Sequence, residues 1–328
     1  MNRPRIALLS NPKSTGNIAQ LSRVRSFCAE HPELFHYEVE HANQIGEALK
    51  TIARIHPKVL VINGGDGTVQ TALTEIYNGG HFGDQRPPVA VLPSGKTNLI
   101  ALDLGAGGDP VIALERLLSL AQNDLEPHIV ARKLIALSGG EGGSDPVIGM
   151  FLGGAGLAGI MLYCRERIYP LGLPNGVSHV ITAVAMLLGL VFGLRASFLP
   201  PEPKMLSVSL RRAGELKGRF ALLFVTTLQK VLLSGEVGSN GVAATSGSLK
   251  FVAVEQNAIS LMRAFVASLG GRLGRTKMAG VHVEEADEIS IEGESSEVIL
   301  DGETFRAGIG KPILLRSALP LSFVRLAA

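Results

Sequence analysis

Short apolar runs alternate with polar, Gly-marked loops and helix-period stretches through the first 125 residues, and no other feature narrows the fold as much. Arg5–Ser10 is an apolar run, followed by a polar loop and a helix-like stretch from Ile18 to Glu30. His36–Glu40 has strand character, and Gln44–Ile55 carries Ile45, Leu49, Ile52 and Ala53 at helical spacing. Lys58–Ile62 is a continuous Val/Leu/Ile run, as in a strand buried on both faces. A Gly-rich turn and a helix from Thr68 to Tyr77 follow, and Val89–Leu92 starts the same theme again. Strand and helix in this order predict a parallel sheet covered by helices.

The texture changes after Glu126. Met205–Arg211, Arg219–Thr226, Leu249–Val254, Glu288–Ile291 and Val298–Leu300 are short and strand-like. The Gly/Ser loops Gly139–Ser144 and Gly235–Ser248 separate them, which is the punctuation of antiparallel sheet. Two helices are expected here, Val177–Leu194 and Asn257–Leu269. The expected organisation is an α/β domain over 1–126 and a β-rich domain with helical insertions over 127–328. The final residues are candidates to return to the first domain.

Three loops follow apolar strands: Asn11-Pro12-Lys13-Ser14-Thr15-Gly16-Asn17, Gly64-Gly65-Asp66-Gly67-Thr68, and Ser94-Gly95-Lys96-Thr97-Asn98. In a parallel sheet all three lie at carboxyl ends of strands, the edge where open α/β sheets bind ligands. Each loop opens a helix, so unpaired backbone N–H groups favour an anion there. Glycine lets the backbone approach a phosphate closely. Lys13, Lys96 and the hydroxyls of Ser14, Thr15, Thr68 and Thr97 add donors, which together suit a nucleotide polyphosphate. Each loop taken alone is also an ordinary βα turn. Asp66 would repel a phosphate unless a cation lay between them, which points to Mg²⁺; helix N-capping is its structural alternative. Gly95-Lys96-Thr97 looks like the end of a Walker A loop, but the first glycine of that motif would fall on Ala90, inside a strand. A P-loop is therefore excluded.

With 328 residues the chain can bury two cores, and a net charge of +2 is too small for a general nucleic-acid binder. Two cysteines, Cys28 and Cys164, exclude a disulfide framework or a thiolate zinc site. The first residues lack a signal-peptide layout, so a reduced, cytoplasmic setting is expected. Val177–Leu194 is nearly apolar and about the minimum length of a membrane span; it reads as a buried or membrane-facing helix, with a span as the alternative.

At these residues the sequence resembles the diacylglycerol kinase catalytic-domain family, which includes bacterial lipid kinases and sphingosine kinases and is related to NAD kinases. Gly64–Thr68 is similar to the family's GGDGT signature, Asn11–Gly16 to its NPxSG loop, Leu92–Asn98 to its LPxGTxN segment, and Leu300-Asp301-Gly302-Glu303 to its DGE element. The resemblance implies an ATP site between an α/β domain and a β-sandwich-like domain, with a diacylglycerol-like lipid entering the same cleft. It implies that Asp66 acts on the phosphates or Mg²⁺, and that Asp301 and Glu303 reach the cleft. Asp301 would accept the proton of the lipid hydroxyl, with Asp66 as rival for that role. Asp301-Gly302 is equally a hairpin turn. The sequence departs from the pattern at Thr71, Lys96, Leu99 and Ser246, and Gly154–Gly159 lacks the acid that sphingosine kinases place nearby.

Three functions follow from this reading. The first is an ATP- and Mg²⁺-dependent lipid kinase working at the membrane surface. The second is a non-catalytic nucleotide or lipid binder on the same scaffold, and the third a kinase of a soluble acceptor such as NAD. The basic stretch Arg272–Lys277 fits contact with an anionic membrane, or is a solvated loop. A homodimer is kept open as a partner.

Overall fold

The computed structural model describes residues 6–141, 145–163, 203–211, 214–229, 249–293, 296–307 and 310–326. Val177–Leu194, Cys164 and Ser246-Gly247 lie outside these residues. The chain divides into two compact units, one of Met1–Leu134, Asp145–Gly149 and Ala318–Ala328, the other of Ile135–Ser144 and Met150–Ser317.

The first unit is α/β. Its strands are β1 (Ile6–Ser10), β2 (Leu34–Glu38), β3 (Val59–Gly64) and β4 (Val89–Pro93). Beside β4 lies the end of β15 (Ile313–Val324). Their order is β2-β1-β3-β4-β15, and every pairing is parallel. All side chains of β1 and β3 are buried, as the unbroken apolar runs predict. The helices α1 (Thr15–Glu30), α2 (Ile45–Ala53), α3 (Asp66–Asn78), α4 (Leu99–Asp103) and α5 (Pro110–Gln122) cover the sheet. Leu21, Val24 and Phe27 of α1 recur at helical spacing and point inward, as do Ile45, Leu49 and Ile52 of α2. From β1 the chain steps outward to β2, then crosses back to β3 on the other side of β1. Strand order therefore reverses between β1 and β3, and loops leaving that point diverge to open a crevice.

The second unit is antiparallel. It contains β7 (Phe151–Gly154), β8 (Met205–Leu210), β9 (Gly214–Thr226), β10 (Leu249–Glu255), β11 (Val281–Ala286), β12 (Glu288–Glu292), β13 (Ser296–Leu300) and β14 (Glu303–Ala307). The 13-residue β9 pairs β8 along its first half and β7 and β10 along its second, so one strand joins two ladders. The helix α6 (Ala155–Tyr163) follows β7, and α7 (Ala258–Leu269) packs on β10 and β11. The strands β5 (Ile129–Gly139) and β6 (Val147–Gly149) complete the described strands. No helix among the described residues is long and apolar enough to cross a membrane.

Candidate nucleotide-phosphate site

The loops after β1, β3 and β4 meet in the first unit because β1, β3 and β4 are neighbours. Side chains tie them together. Asn11 Nδ2 donates to Thr68 Oγ1 at 2.9 Å, and the Gly65 amide donates to Ser14 Oγ at 2.9 Å. Ser14 stands at the N-cap of α1, yet its hydroxyl serves the neighbouring loop and makes no cap bond. The Gly16 amide donates to the Ser94 carbonyl at 3.0 Å, which brings the third loop to the first. Asn98 folds the third loop on itself, accepting from the Gly95 amide at 2.6 Å and donating to the Gly95 carbonyl at 3.0 Å. Its φ of 54° is left-handed, a conformation asparagine tolerates better than most residues.

The close approach of these backbones explains two glycines. A Cβ on Gly95 would lie 2.8 Å from the Gly65 Cα, and one on Gly16 would lie 2.7 Å from the Ser94 carbonyl oxygen. Any larger residue forces the loops apart.

Asp66 is the first residue of α3, with Gly65 at the N-cap. Its negative charge is compatible with the positive end of the helix dipole. Burial nevertheless pushes its carboxyl up to about 6, opposed by a hydrogen bond from the Asn98 amide. Lys13 and Lys96 are exposed, while Thr68 is buried. The Lys13 Nζ lies 3.4 Å from His41 Nδ1, a neighbour the sequence does not announce. Pro12, Gly67 and Thr97 are half-buried and Thr15 is exposed. Thr71, where the resemblance expects an acid, turns its hydroxyl back to the Gly67 carbonyl at 2.9 Å.

Beneath the loops lies a buried polar chain that motif reading passed over. His36 Nε2 and Ser10 Oγ are 2.8 Å apart; Asn63 Nδ2 donates to Ser10 Oγ at 2.9 Å, and Ser94 Oγ donates to Asn63 Oδ1 at 2.5 Å. Asn17 Nδ2 adds bonds to the carbonyls of Asn11 and Asn63 at 2.8 and 3.0 Å. Burial holds the His36 imidazole below its ordinary value, partly offset by the nearby Glu38 carboxylate. The signal was present in the sequence, since Ser10, Asn63 and Ser94 each close an apolar run with a small polar residue.

Asp301 and Glu303 belong to the second unit. Asp301-Gly302 is the turn between β13 and β14, with φ of 44° and 94°, the positive pair that a two-residue type I′ hairpin requires. The buried Asp301 carboxylate accepts the Met150 amide at 2.8 Å on one oxygen and the Phe151 amide at 2.9 Å on the other. Glu303 is exposed, and its carboxylate has no partner among the described residues.

No three His, Cys, Asp or Glu side chains gather into a metal cage among the described residues. A lone carboxylate at a phosphate site nevertheless fits Mg²⁺, which binds through one or two carboxylates together with substrate phosphates.

Comparison with known proteins gives the following likenesses. Residues 5–127 match the diacylglycerol kinase catalytic domain. A Bacillus anthracis str. Sterne protein, provisionally assigned as a diacylglycerol kinase, superposes with a TM-score of 0.66 at 16% identity, covering 99% of this chain and 98% of that one. A diacylglycerol kinase structure from the same organism gives a TM-score of 0.61 at 17% identity with the same coverage. An NAD kinase from Archaeoglobus fulgidus in complex with ATP gives 0.47 at 13% identity, covering 97% of this chain and 93% of that one. No curated protein matches the chain.

Proposed function

We propose, from the match of residues 5–127 to the diacylglycerol kinase catalytic domain, that the chain is an ATP-dependent lipid kinase. The acceptor is the hydroxyl of a diacylglycerol-like lipid. The observation that carries this reading is the knot of three loops at the strand reversal, held by the Asn11–Thr68, Ser14–Gly65 and Gly16–Ser94 bonds. Amides in the first turns of α1 and α3, with Lys13 and Lys96, neutralise the polyphosphate. Asp66 would hold Mg²⁺, which would supply positive charge to offset that of the phosphates.

Transfer forms a bond from the lipid oxygen to the γ-phosphorus, breaks the bond from that phosphorus to the ADP oxygen, and releases the hydroxyl proton. The proton needs a carboxylate acceptor, for which the sequence offers Asp301, with Asp66 as rival. Within the second unit both oxygens of Asp301 accept backbone amides, which fix the Asp301-Gly302 turn.

The test is phosphorylation of diacylglycerol, phosphatidylglycerol and long-chain bases by the purified protein with ATP and Mg²⁺. A phosphorylated lipid is expected from the wild type, with activity at least 100-fold lower for Asp66→Ala. Nucleotide binding without any lipid product would overturn the proposal in favour of a non-catalytic binder, and phosphorylation of NAD alone would favour a soluble acceptor.

A further inference from the structure

The helix α7 is apolar on both sides. Leu261, Ala264 and Ala267 are buried, with Leu261 and Ala264 packing among Ala221, Val254 and Val281. At 100° per residue these positions centre on one side of the helix, and Ile259, Met262, Phe265 and Val266 centre on the opposite side. That outward side is 64%, 59%, 52% and 59% exposed at those four residues. A surface helix ordinarily turns polar residues outward, and here the only charge on the helix is Arg263.

The surroundings select what covers it. No acidic residue occurs from Gln256 to Val283. Arg272, Arg275 and Lys277 are exposed just beyond the helix, and none pairs with a carboxylate among the described residues. Among the described residues Arg263 reaches only the Ala279 carbonyl, at 3.3 Å. An open groove of about 710 Å³ runs between the helix and this basic stretch, lined by Ile259, Met262, Arg263, Val266, Arg272 and Met278.

We propose that this face docks on an anionic lipid bilayer. Ile259, Met262, Phe265 and Val266 enter the boundary between headgroups and acyl chains, while Arg263, Arg272, Arg275 and Lys277 meet lipid phosphates. An apolar row flanked by Arg263, Arg272, Arg275 and Lys277 is complementary to that surface and repels another cationic face. The choice of a membrane rests on the lipid-acceptor reading, because such an acceptor resides there.

The experiment is sedimentation of the full chain with vesicles of phosphatidylcholine containing 30% phosphatidylglycerol, and with pure phosphatidylcholine, without nucleotide. Binding to the anionic vesicles is expected to exceed binding to the neutral ones at least 10-fold and to weaken as NaCl is raised. Met262→Asp/Phe265→Asp should lower it at least 10-fold, as should Arg272→Glu/Arg275→Glu. Both variants should phosphorylate a short-chain, water-soluble diacylglycerol like the wild type, so failure of docking and failure of the kinase reading are separable. Unchanged vesicle binding in both variants overturns the proposal. So does a wild-type dimer, seen by analytical ultracentrifugation, that Met262→Asp/Phe265→Asp dissociates without altering vesicle binding.

Discussion

Asp66 is held where its charge is disfavoured, and the direction of the effect can be tested. Its folded value of about 6 lies above the 3.8 of an unperturbed aspartate. Between those values the folded state holds a proton that the unfolded state has released, so stability falls as pH rises through this window. Asp66→Asn should leave stability nearly unchanged below pH ~3.5 and raise it by about 3 kcal/mol above pH ~7. Thermal melts at the two pH values check this; an equal gain at both would mean that burial of the charge is not the cause. This residue was legible as a motif, because an acid between glycines after an apolar run is a local pattern. Its Asn98 partner, 32 positions away, was not, since a hydrogen bond between loops leaves no periodic trace.

At the scale of elements, α4 depends on a buried ion pair. Asp103 ends the helix and its Oδ2 lies 3.6 Å from Arg132 Nε of β5, with side chains 0% and 9% exposed. Burial lowers the Arg132 value, and Asp103 partly restores it. Removing one partner of a buried pair is destabilising, so Asp103→Ala should cost about 3 kcal/mol. Asp103→Leu/Arg132→Met should recover most of that loss, as measured by urea denaturation. Elements with a strong local period, such as α2 and β3, were readable in the sequence within a few residues. The long β5 and β15 were not, because Arg132, Lys133, Arg316, Ser317 and Pro320 break their apolar runs. Their strand state comes from pairing with distant partners.

Taken as a whole molecule, the first unit is completed by the end of the chain. Leu321, Phe323, Val324 and Leu326 are 4% exposed or less, and Phe323 stands opposite Val89 of β4. At roughly 1.5–3 kcal/mol for each buried side chain, residues 318–328 contribute roughly 6–12 kcal/mol, comparable to the whole stability of a domain. A chain ending at Ser317 should therefore lose cooperative melting of the first unit and, on the proposed function, nucleotide-induced stabilisation; wild-type nucleotide affinity would refute this. By itself the sequence determined the parallel α/β half, the antiparallel half and the three Gly-marked loops at the strand ends, because these depend on period and turn chemistry within a few residues. Only the tertiary structure decided that Ser14 bonds Gly65 in place of capping its own helix, and that Asp301 is held by two backbone amides. Each of these is a contact between segments far apart in the chain, chosen by which groups had to be buried and satisfied together, and local pattern carries no record of that choice.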